Sequence, residues 1–267
     1  MIENLVNWIV GIIISVAPPG VQHHLPKEKV NEPAWITNAR ETEQEALQRY
    51  NSIASDLVEV VFDERSQPLF DGPNGRTHTA VLMLGIMKHE SGFRMDVDKN
   101  IGPRARGDNG RSWCMLQMNI GKGRTQAWNF VQNREPKWGD PKEEIRKGYL
   151  GTQLIEDRKL CFSEGLNLIT RSFKAGSRLE DKLRIFASGK FKVSNPVKQK
   201  NIESASKNRI STGEYLWAKN SKDVTWTDNN IISLLKERKI QMKRQEDLDN
   251  MNPKKFQLDL NLVAYSK

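Results

Sequence analysis

Apolar side chains at Leu47, Tyr50, Ile53, Leu57 and Val61 recur every three or four residues, while Glu43, Glu45, Arg49 and Asp56 fall outside that series. This spacing predicts an amphipathic helix within about Trp35 to Phe62. The stretch from Asp63 to Arg76, with Pro68, Gly72, Pro73 and Gly75, breaks it, and Thr77 or Thr79 is placed to cap a second helix beginning near Ala80. That helix is apolar nearly all round, with Val81, Leu82, Leu84, Ile86 and Met87, which predicts a buried element carrying Lys88, His89 and Glu90 at its carboxyl end. Gly92 to Gly110, rich in glycine and holding Asp96, Asp98 and Asp108, reads as a long loop or short hairpin followed by Trp113 to Ile120. Further on, a helix is expected from about Pro141 to Leu160, another apolar run near Leu166 to Phe173, helical spacing over Ile231 to Met242 and strand-like alternation over Phe256 to Tyr265.

The apolar run from Leu5 to Ala17, ended by Pro18, Pro19 and Gly20, is shorter than the roughly 20 residues of a simple membrane span. Glu3 and the prolines fit a secretory signal poorly, which leaves a helix that packs on the protein or an interfacial anchor. Val21 to Pro33 reads as a polar linker in which the adjacent His23 and His24 make poor co-ligands. The expected layout is an apolar segment 1–20, a linker 21–33, a main domain 34–210 and an extension 211–267.

With 267 residues, 37% hydrophobic and 28% charged, the chain can bury a core and is not a disordered polymer. Its net charge of +9 suits an anionic partner, with 16 Lys and Arg against 9 Asp and Glu from Lys190 onward. The cations lie in polar stretches with few interleaved aromatics, so specific nucleic-acid binding is not expected. Two cysteines, Cys114 and Cys161, exclude a disulfide scaffold and a four-cysteine zinc site, and leave one bridge or two buried thiols open. No cofactor or metal is expected.

Glu90 is the first candidate for chemistry. A carboxyl group at the end of an apolar helix beside a glycine-rich loop is partly desolvated, which raises its pKa and lets it hold a proton for donation. Its surroundings read Glu90, Ser91, Gly92, Phe93; Gly107 to Met118 reads GDNGRSWCMLQM; and Phe186, Ala187, Ser188, Gly189 follows. In order and spacing these three segments resemble the motifs of the soluble lytic transglycosylase family, particularly its phage-borne and secretion-apparatus members, over roughly Thr79 to Gly189. Cys114 stands where the family usually has glycine, and Phe186 where it has tyrosine.

The resemblance implies a mainly α, lysozyme-like (α+β) catalytic domain with a small loop or hairpin region, an apolar helix before it and an extension after it. It implies Glu90 as the catalytic acid and base and Ser91, Ser112, Gln117, Phe186 and Ser188 as substrate-binding residues. Taken alone, Ser91 and Ser112 read equally as helix or turn caps, and Phe186 and Trp113 as core. The implied reaction is cleavage of the peptidoglycan bond between N-acetylmuramic acid and N-acetylglucosamine with formation of a 1,6-anhydro end. A lysozyme-type hydrolase with Asp96, Asp98 or Asp108 as second acid is the alternative within the same substrate class. A structural adaptor of a phage particle or secretion machine is the alternative outside it. The implied partners are glycan strands and virion or secretion-machine proteins, with residues 1–20 as a membrane contact, and the implied place of action is the bacterial wall or periplasm.

Overall fold

Gly75–Glu90 is the central helix, and every residue from Thr79 to Met87 in it is buried. The computed structural model describes residues 1–27, 29–119, 128–129, 148–149, 151–178, 181–188 and 194–251, and these are mainly helical. The central helix starts earlier than the sequence predicts. Thr77 and Thr79 lie inside it, fully buried, and its first turn is capped from the far end of the chain. The Asp228 carboxylate accepts from Arg76 N at 2.6 Å, Thr77 N at 3.2 Å and Thr77 Oγ1 at 2.7 Å. A helix beginning that borrows its acceptor over 151 residues cannot be read from local capping residues. Asp228→Ala removes the acceptor for three buried or half-buried donors, so we expect a loss of about 1–3 kcal/mol, seen as a melting temperature lower by several degrees. An unchanged melting curve would refute the cap.

Around this helix lie Glu43–Val61 on one side and Pro196–Asn220 on another. The first is capped by a reciprocal Thr42–Glu45 box, in which Glu45 N donates to Thr42 Oγ1 and Thr42 N donates to Glu45 Oε2. The short helix Ala34–Asn38 precedes it, so the single helix read over Trp35 to Phe62 is divided at Thr42. The second crosses the central helix at Gly85 and Gly213. A Cβ built on Gly85 would lie 2.7 Å from Gly213 N, so the two backbones touch where neither residue carries a side chain.

The apolar amino-terminal run forms a helix, Ile2–Val16, whose Leu5, Ile9, Ile12 and Ile13 are almost completely buried against Glu43–Val61. No helix among the described residues is long and apolar enough to cross a membrane. The segment read as a linker is tied down: Leu25 is buried, Arg40 Nη2 donates to Pro26 O, and His24 Nε2 lies 3.2 Å from Asp96 Oδ1.

Ser112–Trp113 and Met118–Asn119 form a minimal antiparallel hairpin, and a second two-stranded pair joins Trp128–Asn129 to Gly148–Tyr149. Of the helix expected over Pro141 to Leu160, residues 141–147 and 150 lie outside the described residues, and the rest is not one helix. Gly148–Tyr149 is extended, Gly151–Glu156 is a short helix, and Asp157 caps a new helix, Arg158–Ala175, by accepting from Leu160 N. That helix contains the apolar run Leu166 to Phe173. Cys161 on it is bonded to Cys114 of the hairpin. The helix Pro196–Asn220 runs without a break through residues 210 and 211, where the main domain is expected to end. The last described helix, Asp228–Met251, exceeds the span read from Ile231 to Met242 and is exposed from Lys236 to Asn250. The alternation from Phe256 to Tyr265 lies outside the described residues.

Candidate functional site

Glu90 ends the central helix, and the chain turns away through Ser91 and Gly92. Ser91 N and Gly92 N both donate to Met87 O, and Gly92 adopts φ +59°, the left-handed conformation in which helices commonly stop. Glu90 is therefore held by the most buried helix of the fold while its carboxylate reaches the surface, with 14% side-chain exposure.

Its partner is Arg209, on the crossing helix, whose Nε donates to Glu90 Oε1 at 2.6 Å. Burial pushes the Glu90 carboxyl above the ordinary carboxylate range, Arg209 pulls it back, and the negative charge of Asp108 adds to the rise, so the net direction is up. His89, beside it, has Nε2 2.8 Å from Thr212 Oγ1 on the crossing helix, and burial together with the Arg209 charge lowers its proton affinity. The Gly85–Gly213 contact sets this geometry. Arg209 and Thr212 lie within one turn of Gly213, and the close crossing brings both onto the end of the central helix.

The loop after Glu90 is conformationally unusual. Phe93, Asn100, Asp108, Asn109, Cys114 and Gln117 all have φ between +46° and +60° without being glycine. Such residues persist only where the surroundings over-determine them, and they concentrate at functional sites. Here the determinants are visible. Phe93 is buried edge-on to Tyr50, with ring centroids 6.4 Å apart. Cys114 occupies the left-handed position for which glycine is the usual residue and is fixed by its bond to Cys161. Gln117 clasps the loop: Oε1 accepts from Gly107 N at 2.7 Å, and Nε2 donates to Ala105 O and Cys114 O. Asp108 Oδ2 accepts from Ser112 Oγ at 2.6 Å and from Asn119 Nδ2 at 3.2 Å.

Ser91 is buried, with Oγ donating to Met87 O at 2.9 Å and accepting from Phe93 N, so its hydroxyl finishes the helix instead of facing open solvent. Ser112 is buried and spends its hydroxyl on Asp108. Gln117 shapes the loop through its bonds to Gly107, Ala105 and Cys114. These three residues, expected to bind substrate, form an internal hydrogen-bond framework beside Glu90. Phe186, on the short helix Arg184–Ser188, is half-buried against the core, and its N–H points to Ser172 Oγ at 3.3 Å. Ser188 ends that helix, and its side chain and Gly189 lie outside the described residues.

The three acids considered as a second carboxylate separate clearly. Asp96 is buried; burial alone would raise its carboxyl, but His24 and Arg94 overcome this and hold it at about 2. Asp98 is clamped by Arg158, which also reaches Asp56 Oδ2 at 2.5 Å and so pins the loop to the helix Glu43–Val61. Asp108 alone of the three acts electrostatically on Glu90. Arg209 was not legible in the sequence, because only its place in a basic stretch marks it and its contact spans 119 residues. No group of His, Cys, Asp or Glu suited to holding a metal ion occurs among the described residues. Comparison with protein-family models, with curated proteins and with solved structures finds no match to this chain.

Proposed function

We propose that this protein cleaves the glycan strands of peptidoglycan as a lytic transglycosylase, with Glu90 as acid and then base. The observation that carries the reading is the setting of Glu90: a largely desolvated carboxyl with raised proton affinity, rigidly held at the end of a buried helix beside a loop of over-determined backbone. The motifs Glu90–Phe93 and Gly107–Met118, which resemble the family, are the segments that build this setting. As the acid, Glu90 protonates the bridging oxygen between N-acetylmuramic acid and N-acetylglucosamine. As the carboxylate, it takes the proton of the muramic 6-hydroxyl while O6 closes on C1 and forms the anhydro ring. The neighbouring acetamido group stabilises the developing cation, so no second carboxylate is required. The Cys114–Cys161 bond suits an oxidising compartment such as the one in which the wall is reached. The exposed helix end Lys236–Asn250 suits attachment to a phage particle or secretion apparatus that carries the enzyme there.

Asp108 favours a second reading, hydrolysis to a reducing end. Its charge acts on Glu90, and its carboxylate is fixed by Ser112 and Asn119, as a water-activating base would need. Under the transglycosylase reading Asp108→Asn retains anhydro products.

The pH–rate profile tests the role of Glu90. Because the acid form starts the reaction, glycan release falls as pH rises through the elevated Glu90 pKa. Arg209 favours the carboxylate, so Arg209→Gln raises that pKa further and moves the falling limb to higher pH. A limb that stays in place or moves down would show that another group titrates, and no release from the wild-type protein at any pH would reject the function.

A further inference from the structure

Far from Glu90, a groove of about 730 Å³ runs between the end of Glu43–Val61, the loop that follows it, the helix Arg158–Ala175 and Lys239 in the middle of Asp228–Met251. Arg76 marks its separation from the site: at the start of the central helix, Arg76 Nη1 donates to Asp63 O at 2.9 Å, and Asp63 lines the groove. Glu90 is 14 residues further along that helix, about 20 Å away at 1.5 Å per residue.

Among the described residues, five cations line the groove, Arg65, Lys159, Arg171, Lys174 and Lys239, against two carboxylates, Glu59 and Asp63. Both carboxylates are already matched, Glu59 by Lys159 at 2.7 Å and Asp63 by Arg65 at 2.9 Å with Lys239 3.6 Å away. Leaving Arg171 aside, the other four lining cations still outnumber these two carboxylates, so the groove carries a cationic excess. One face of Arg158–Ala175 contributes Ser163, Asn167, Thr170 and Lys174 at successive turns, so hydroxyl and amide groups lie in line with positive charge. The Lys174 ammonium donates to Gln67 Oε1 at 3.1 Å across the groove's surface.

We propose that this groove is a second binding site, for a polyol-phosphate or sugar-phosphate chain. The cations take the phosphates, and the Ser163–Asn167–Thr170 stripe takes the hydroxyls between them. Among the described residues no aromatic side chain lines the groove, and single-stranded nucleic acids depend on such a stacking platform. A polar stripe of hydroxyl and amide groups running up to Lys174 also offers partners to the hydroxyls of a polyol phosphate, which a run of peptide carboxylates lacks. The site would hold the protein on an anionic surface while leaving Glu90 free, and it does not depend on the reaction assigned to Glu90.

The test is calorimetric titration of the full chain with a synthetic glycerol-phosphate oligomer at low and high salt, beside single-stranded DNA and polyglutamate of matched charge. The oligomer should bind with clear salt dependence. Replacing Lys174 and Lys239 by Gln should weaken binding about tenfold or more and reduce the salt slope by roughly two. Asn167→Glu, at an exposed position, should abolish it with the melting temperature retained, which separates loss of the site from loss of the fold. Absence of binding, affinities unaltered in both variants, or equal or tighter binding of DNA or polyglutamate that the same variants weaken would each overturn the assignment.

Discussion

Glu90→Gln should reduce glycan release by about two to four orders of magnitude, the scale lost when an essential general acid is removed. Gln keeps the size of the side chain, and its oxygen can still accept from Arg209 Nε, which now lies 2.6 Å from Glu90 Oε1. The helix end is fixed independently by Ser91 N and Gly92 N on Met87 O, so the melting temperature should move little. Loss of activity with an intact melting curve therefore isolates proton transfer from folding. Turnover near the wild-type rate would remove Glu90 from the chemistry.

Gly85→Leu should be the most damaging single change outside the site. Its Cβ would meet Gly213 N at 2.7 Å and Gly213 Cα at 2.8 Å, and backbone atoms inside a helix cannot swing aside as a side-chain tip can. Overpacking of this kind costs about 1–3 kcal/mol when neighbours can adjust, and here the whole crossing helix must move. We expect about 3 kcal/mol or more, seen as a melting temperature lower by roughly 6–12 °C. The same displacement pulls Arg209 from Glu90 and separates His78 from Trp217, whose rings stack 4.5 Å apart, so activity should fall as well. A variant that melts like the wild-type protein would show that the crossing is looser than the structure has it.

Local periodicity carried much of the helical framework. Leu47 to Val61 and Val81 to Met87 were readable because each burial pattern is intrinsic to its own helix. What escaped was non-local. The central helix begins at Gly75 because Asp228 caps it, and Pro141 to Leu160 is not one helix because Tyr149 pairs with Trp128 and Asp157 restarts the chain. The Glu90 carboxyl was legible as a desolvated acid at a helix end, whereas Arg209 was not, since no spacing rule connects positions 119 residues apart. Ser91, Ser112 and Gln117 make their internal hydrogen bonds for one physical reason. A left-handed backbone at Phe93, Asp108 and Cys114 needs internal hydrogen bonds to hold it, and these polar side chains supply them. The same need explains why a cysteine serves at position 114, where burial and a covalent bond do what a glycine's conformational freedom would otherwise do.

The most direct measurement is mass analysis of the fragments released when the purified protein digests isolated peptidoglycan, run beside Glu90→Gln. A transglycosylase driven by Glu90 releases muropeptides ending in 1,6-anhydro-muramic acid, one water lighter than the hydrolytic product, and the variant releases essentially none. Reducing ends would assign hydrolysis and bring Asp108 into the reaction. Absence of fragments from the wild-type protein would contradict glycan cleavage altogether.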